Sequence, residues 1–211
     1  MGGGEEEEAT INLPASSRPS SSPAEPRGRQ SRERPGTMSS VVVRPCARRD
    51  LRDIMRLIKD IAVIYNVPLE NLSTNVQALE EAGFGPHPKF ECFVAEIPPE
   101  RKSPEGFTLA GYVLSSYTYN SWKGKNLYID NFYVMPEFRG MRIGNSLLKE
   151  TAKAAWEQGC SELRMHVSHL KPENVAYLER RGAENLTAQD GWNLFRFYQD
   201  RLSQVANQSR V

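Results

Sequence analysis

Cysteine is scarce in this 211-residue chain: three residues, Cys46, Cys92 and Cys160, far apart in sequence. There is no CxxC pair and no Cys/His cluster, which argues against structural zinc. An odd, scattered set reads as buried free thiols in a reducing compartment. Charge of one sign is also missing. The formal net charge is +1, so composition points to neither nucleic acid nor an anionic membrane as a partner. No apolar run approaches the length needed to span a bilayer. The first residues are Met1 and three glycines followed by Glu5 to Glu8, with neither the basic start nor the apolar stretch of a secretory signal. Glu6 stands where a myristoylation motif wants a hydroxyl residue. The three histidines, His87, His166 and His169, are too scattered to suggest a metal site or a charge relay.

Large aliphatics are nearly absent from residues 1–37, where Ile11 and Leu13 stand alone among Pro, Ser, Arg, Gly and Glu. Such a segment cannot bury enough apolar surface to offset its ordering entropy, and it is expected to be disordered. A folded domain is expected over 38–205, with a flexible end at 206–211.

From Ser39 onward the texture changes. Val41 to Val43 form a β-branched run. Leu51, Ile54, Leu57, Ile58 and Ile61 recur at helical spacing. Residues 74–83 read as a second helix, with Thr74 and Gln77 at capping-box spacing and Gly83 as its stop. Strands are expected at 90–97, 107–119 and 127–135, the last two joined by a turn at Trp122-Lys123-Gly124-Lys125. A helix over 143–158, a strand over 162–167, a helix over 173–181 and a final strand over 194–198 complete the series. The order predicts a mixed α/β domain with an antiparallel meander in its middle. No GxGxxG follows the first strand, which disfavours a dinucleotide fold.

The segment from Tyr133 to Asn145 is the most informative. A strand ends, a glycine-containing loop follows, and a long amphipathic helix begins. Backbone amides at such a junction, with Arg139 beside them, suit a phosphate or pyrophosphate. An ordinary strand-to-helix turn is the competing reading from physics alone.

Arg139-Gly140-Met141-Arg142-Ile143-Gly144 resembles the acetyl-CoA loop of the GNAT superfamily, whose pattern is Arg/Gln-x-x-Gly-x-Gly/Ala. The resemblance continues through Gly83-Phe84-Gly85-Pro86-His87-Pro88, Phe93-Val94-Ala95-Glu96, Trp122-Lys123-Gly124-Lys125, Arg180-Arg181-Gly182-Ala183 and Gly191-Trp192. Within the superfamily these segments are similar to the diamine (spermidine/spermine) and thialysine N-acetyltransferases. That resemblance implies a mostly antiparallel sheet flanked by helices, with acetyl-CoA bound in a splay between two parallel strands ending near Val134 and Val167. It implies that Phe132, Tyr133 and Val134, with Arg139, Gly140, Met141, Arg142, Ile143, Gly144 and Asn145, hold the co-substrate. It further implies Tyr177 as the acid for the departing thiolate, Asp130 as the residue that helps deprotonate the amine, and Asp130, Asn131, Trp122 and Tyr65 around a small-molecule amine. It implies a homodimer, with Phe195, Phe197 and Tyr198 at the shared region or else at an intramolecular sheet edge, in a cytoplasmic protein.

The departures matter. Arg142 replaces the middle glycine of the loop, Leu170 stands near the place of an expected Asn, and Asn131 and Asn120 stand where the family has acids. Amides attract a polycation less than carboxylates do. Two readings follow: an active enzyme on a polyamine or a less cationic amino-acid-like amine, or a catalytically weak relative serving as an interaction or dimerisation module. Protein lysines are a third class of acceptor.

Overall fold

In the computed structural model, residues 41–102 and 106–207 are described. The tail expected over 1–37 and the last residues, 208–211, lie outside them.

Strand β1 (Val42–Pro45) leads into helix α1 (Leu51–Ile64), as the apolar spacing predicts. Leu51, Ile54 and Leu57 are fully buried on its inner face. Each such side chain contributes about 1.5–3 kcal/mol relative to exposure. Helix α2 (Val76–Phe84) begins two residues later than the capping-box reading placed it. Asn75, not Thr74, caps it, its Oδ1 accepting from Ala78 N–H at 2.9 Å. Gly83 does not end the helix but lies inside it. A Cβ there would come within 2.4 Å of the Phe90 ring, so glycine serves close packing, and Gly85 is the C-cap.

Strands β2 (Glu91–Glu96), β3 (Leu109–Asn120) and β4 (Gly124–Val134) form the expected antiparallel meander. Helix α3 (Ile143–Glu157) then returns the chain to β5 (Glu162–Met165), which pairs parallel to β4. The sheet order is β1-β2-β3-β4-β5. One apolar layer packs α1 and α2 on one face, through residues such as Leu57, Tyr112 and Tyr133. The other packs α3 on the opposite face, through Val113, Ile129 and Leu147.

Two ion-pair clusters fasten the helices to the sheet. Asp53 is buried and accepts from the backbone amides of Thr108 and Leu109 at 2.9 and 2.8 Å, and from Arg56 at 2.6 Å. Arg56 also donates to the Leu109 carbonyl at 3.2 Å. Arg44 bridges Asp50 at 2.7 Å and Glu96 at 2.6 Å, joining β1, β2 and the entry to α1. Burial by itself would raise the Asp50 carboxyl, but the bonds from Arg44 and the Ala47 amide outweigh it and hold it below the usual carboxylate range.

After β5 come α4 (Pro172–Glu179), a short α5 (Leu186–Asp190) and α6 (Gln199–Asn207). The final strand expected over 194–198 does not form. That stretch pairs with no strand among the described residues, and Phe195 is 84% exposed. Its alternating aromatics find no strand to pair with among the described residues.

Candidate active site

The β4–β5 ladder is short. It runs from Asn126↔Glu162 to Ile129↔Met165 and stops, while β4 continues to Val134. Beyond that point the two strands part, and β4 residues 130–134 face an opening of about 890 Å³. That volume lies within the roughly 300–1,000 Å³ of small-molecule sites.

A β-bulge shapes this opening. Leu114 pairs with Asn131 and Ser115 with Ile129, so Asp130 is an extra residue with no partner across the ladder. Bulges re-aim side chains beside sites. Here the bulge also shifts the in–out alternation, so that Ile129, Phe132 and Val134 all face the α3 layer. Asp130 is exposed at the groove, and Asn131 Nδ2 donates to its Oδ2 at 2.8 Å. The amide that replaces a second acid therefore orients the carboxylate instead of repelling it.

At the far end of the groove lies the loop from β4 to α3. Gly140 has φ +79°, a left-handed conformation that glycine adopts without strain. Arg139 Nε donates to the Val134 carbonyl at 3.0 Å, tying the loop to the strand end. The first intrahelical bond of α3 runs from Ser146 N–H to Arg142 O at 3.1 Å. The amides of Ile143, Gly144 and Asn145 precede it and have no partner within the helix. These amides, with the helix dipole behind them, fit a pyrophosphate. Arg142 also has φ +62°. A left-handed residue with a Cβ costs roughly 1–2 kcal/mol, so this chain tolerates strain where its pattern would place glycine.

Most residues expected at the site meet in this groove. Phe132, Tyr133, Val134, Arg139, Gly140, Arg142, Ile143, Gly144 and Asn145 line it, as do Asp130, Asn131, Tyr65 and Tyr177. Met141 does not line it and is half-exposed. Trp122 lies elsewhere, in the turn between β3 and β4, its ring 6.1 Å from that of Trp192. Leu170 is outside the groove, whereas Asn174, one turn into α4, is among the lining residues.

Tyr177 reaches the groove from α4. Its hydroxyl donates to Asn145 Oδ1 at 3.0 Å, and its ring stands edge-on to Phe132 at 6.3 Å. Burial pushes its phenol above the ordinary range, and the Arg181 guanidinium, 3.6 Å over the ring, opposes that without reversing it. The phenol thus keeps its proton at neutral pH, as a proton donor must. His166 was dismissed on the sequence as one of three scattered histidines, yet it also lines the groove. Only the parallel pairing of β4 with β5 brings it beside Asp130, and no local signal announces that.

The parted parallel strands, the bulge and the loop at the start of α3 bring unbonded helix amides, a carboxylate and a phenol to one groove of an α/β domain. Residues 59–183 match the Acetyltransferase (GNAT) family. The chain is 37% identical over 173 residues to thialysine N-epsilon-acetyltransferase of Sus scrofa, spanning 80% of this chain and 99% of that protein. It is 34% identical over 157 residues to spermidine/spermine N(1)-acetyltransferase-like protein 1 of Homo sapiens, spanning 74% of this chain and 22% of that one. An integron cassette protein from the mobile metagenome of V. cholerae shares the fold, with a TM-score of 0.61 at 17% identity over 80% of this chain and 99% of that one. The chain belongs to the GNAT acetyltransferase family and is an N-acetyltransferase.

Proposed function

We propose that the protein transfers the acetyl group of acetyl-CoA to a primary amine of a polyamine or a related small amine. One observation carries this reading: a single groove has unpartnered α3 amides at one end and the bulged Asp130 at the other. Acetyl-CoA supplies the activated acetyl group. Residues Phe132 to Val134, with Arg139, Gly140 and Arg142 to Asn145, would hold it; Met141, outside the groove lining, is not assigned a contact. Tyr177 gives its proton to the thiolate that leaves, and burial, which raises its phenol, keeps that proton in place until the thiolate forms. Asp130 attracts the substrate ammonium, helped by Asn131, with Tyr65 flanking the entrance. Trp122, placed outside the groove of this chain, is not assigned a contact.

Among amines, a singly charged amino-acid-like acceptor such as thialysine fits better than a polyamine. Asn131 and Asn120 provide no charge for the further ammonium groups of a polycation, and the Sus scrofa relative carries the thialysine name.

The chain also fits a homodimer. Trp192, Leu194, Phe195, Phe197 and Tyr198 are all exposed, and a concentration of large apolar side chains in one exposed segment is what an interface would use. Three free thiols and the lack, among the described residues, of a helix long and apolar enough to cross a membrane fit a cytoplasmic setting.

The test is acetyl transfer by the full chain to thialysine, spermidine and spermine. Turnover of thialysine that falls roughly 100-fold in Tyr177→Phe is expected. Absence of transfer to every amine would instead support the interaction-module reading, which the strained Arg142 favours.

A further inference from the structure

Three polar side chains converge where β4 and β5 part. Tyr128 and His166 flank the last paired residues, Ile129 and Met165. Ile129 and Met165 face the α3 layer, so Tyr128 and His166 point to the opposite face, toward the side that Asn131 and Tyr133 share with α1. The Tyr128 hydroxyl is hydrogen-bonded to His166 Nδ1, and the two rings meet edge-on at 5.5 Å. His166 is exposed and lines the groove together with Asp130. With Nδ1 engaged by Tyr128, the other ring nitrogen, Nε2, is the one left to meet a ligand.

We propose that His166, oriented by Tyr128, takes the proton from the substrate ammonium at Nε2, while the carboxylate of Asp130 holds that ammonium in place. This rests on the acetyl-transfer reading above. A protonated amine has no lone pair and cannot attack, so a base has to act first. A neutral imidazole carries one ring-nitrogen lone pair that can take this proton, and the bond at Nδ1 leaves Nε2 to present it to the groove. In the productive tautomer Nδ1–H donates to the Tyr128 oxygen, leaving the Nε2 lone pair free. Burial first, and then the negative charge of Asp130, raises the Tyr128 phenol, which keeps it a neutral hydroxyl able to accept that bond.

The protons balance as follows. The ammonium loses one proton to Nε2, and the amine lone pair then forms the N–C bond as the C–S bond breaks. The nitrogen sheds a second proton to solvent, and the departing thiolate takes one from Tyr177. Both His166 and Tyr177 are restored by exchange with water, so one proton is released per acetyl group transferred.

Tyr128 is the group bonded to the imidazole; the charged and titratable residues that share the groove lining with His166 are Asp130, Tyr133, Arg139 and Arg142 from β4 and its loop, Lys171, Glu173, Tyr177 and Arg180 from α4 and its ends, and Tyr65 after α1. A purely structural role, tying β5 to β4, would leave the pH dependence of turnover unchanged.

The experiment measures kcat/KM for the amine against pH in the full chain and in His166→Gln, His166→Ala and Tyr128→Phe. For His166→Gln, a loss of roughly 100-fold is expected, with the acidic limb of the profile removed and the KM for acetyl-CoA unchanged. Added imidazole should restore part of the His166→Ala rate. Tyr128→Phe should lose less, with its acidic limb displaced. Wild-type rates in His166→Gln, or reduced rates with the same acidic limb and no rescue, would overturn the proposal while leaving the acetyl-transfer reading intact. A wild-type chain inert toward every amine would bring down that reading, and this role with it. Nitrogen-15 spectra of the histidines give a check that needs no turnover: the Nδ1–H tautomer is expected at His166, and the Nε2–H tautomer overturns the assignment.

Discussion

Residues 41–180 and residues 181–207 handle their side chains in opposite ways. In the first region buried charge is paired: Asp53 has Arg56 and two backbone amides, and Asp50 has Arg44. Its apolar side chains close two layers around one sheet. In the second region every described residue is exposed, including Trp192, Phe195 and Tyr198. The first region completes its own core. The second carries large apolar residues that no buried layer among the described residues covers, the feature on which the dimer proposal rests.

The comparison breaks most sharply at Asp53. Asp53→Ala strands a part-buried guanidinium and two amides, and it should cost about 3–5 kcal/mol in denaturant unfolding. Phe195→Ala, at an exposed position, should change the stability of the isolated chain by less than about 0.5 kcal/mol. Similar losses at the two sites would mean that the C-terminal region belongs to the core after all. Phe195→Asp combined with Phe197→Asp should leave the fold intact and convert a dimer to a monomer by light scattering; an unchanged mass would remove the interface reading.

Smaller effects sharpen the contrast at the groove. Arg142→Gly relieves a left-handed residue and should raise stability by about 1 kcal/mol or tighten acetyl-CoA binding severalfold, read by thermal melts and titration. Weaker binding would show that the guanidinium itself holds phosphate. The smallest effect is set by pH. The Asp50 carboxyl is depressed in the folded chain, so its contribution is present above the unfolded value of about 4 and is lost as pH falls through the lower folded value. Asp50→Asn should flatten the acid side of the stability curve, and an unchanged acid limb would assign that limb to other carboxylates.

Helices α1 and α3 were legible because apolar residues at helical spacing report a buried face directly. The loop at Arg139–Gly144 was legible through its resemblance to the GNAT pattern; as a glycine-containing strand-to-helix junction alone it left an ordinary turn open, and Arg142 shows that even the left-handed position at the helix start is not held by glycine. The bulge was not. A single extra residue at Asp130 leaves no local mark, and it is defined only by the register of β3 against β4. His166 was missed for a related reason, since its neighbours Tyr128 and Asp130 come from a strand more than thirty residues earlier. The final strand expected over Leu194 to Tyr198 does not form because alternation is only a local pattern, and pairing needs a partner strand that the pattern cannot supply.

The parting of β4 from β5, closed by the α3 loop, is proposed here as an acetyl-CoA site. Calorimetric titration of acetyl-CoA into the full chain tests it most directly, with Gly144→Leu as the control that fills the space beside Tyr177 and Phe132. Micromolar binding in the wild-type chain that is lost in a folded Gly144→Leu variant is expected. No binding at millimolar acetyl-CoA, or equal binding in both proteins, would contradict it.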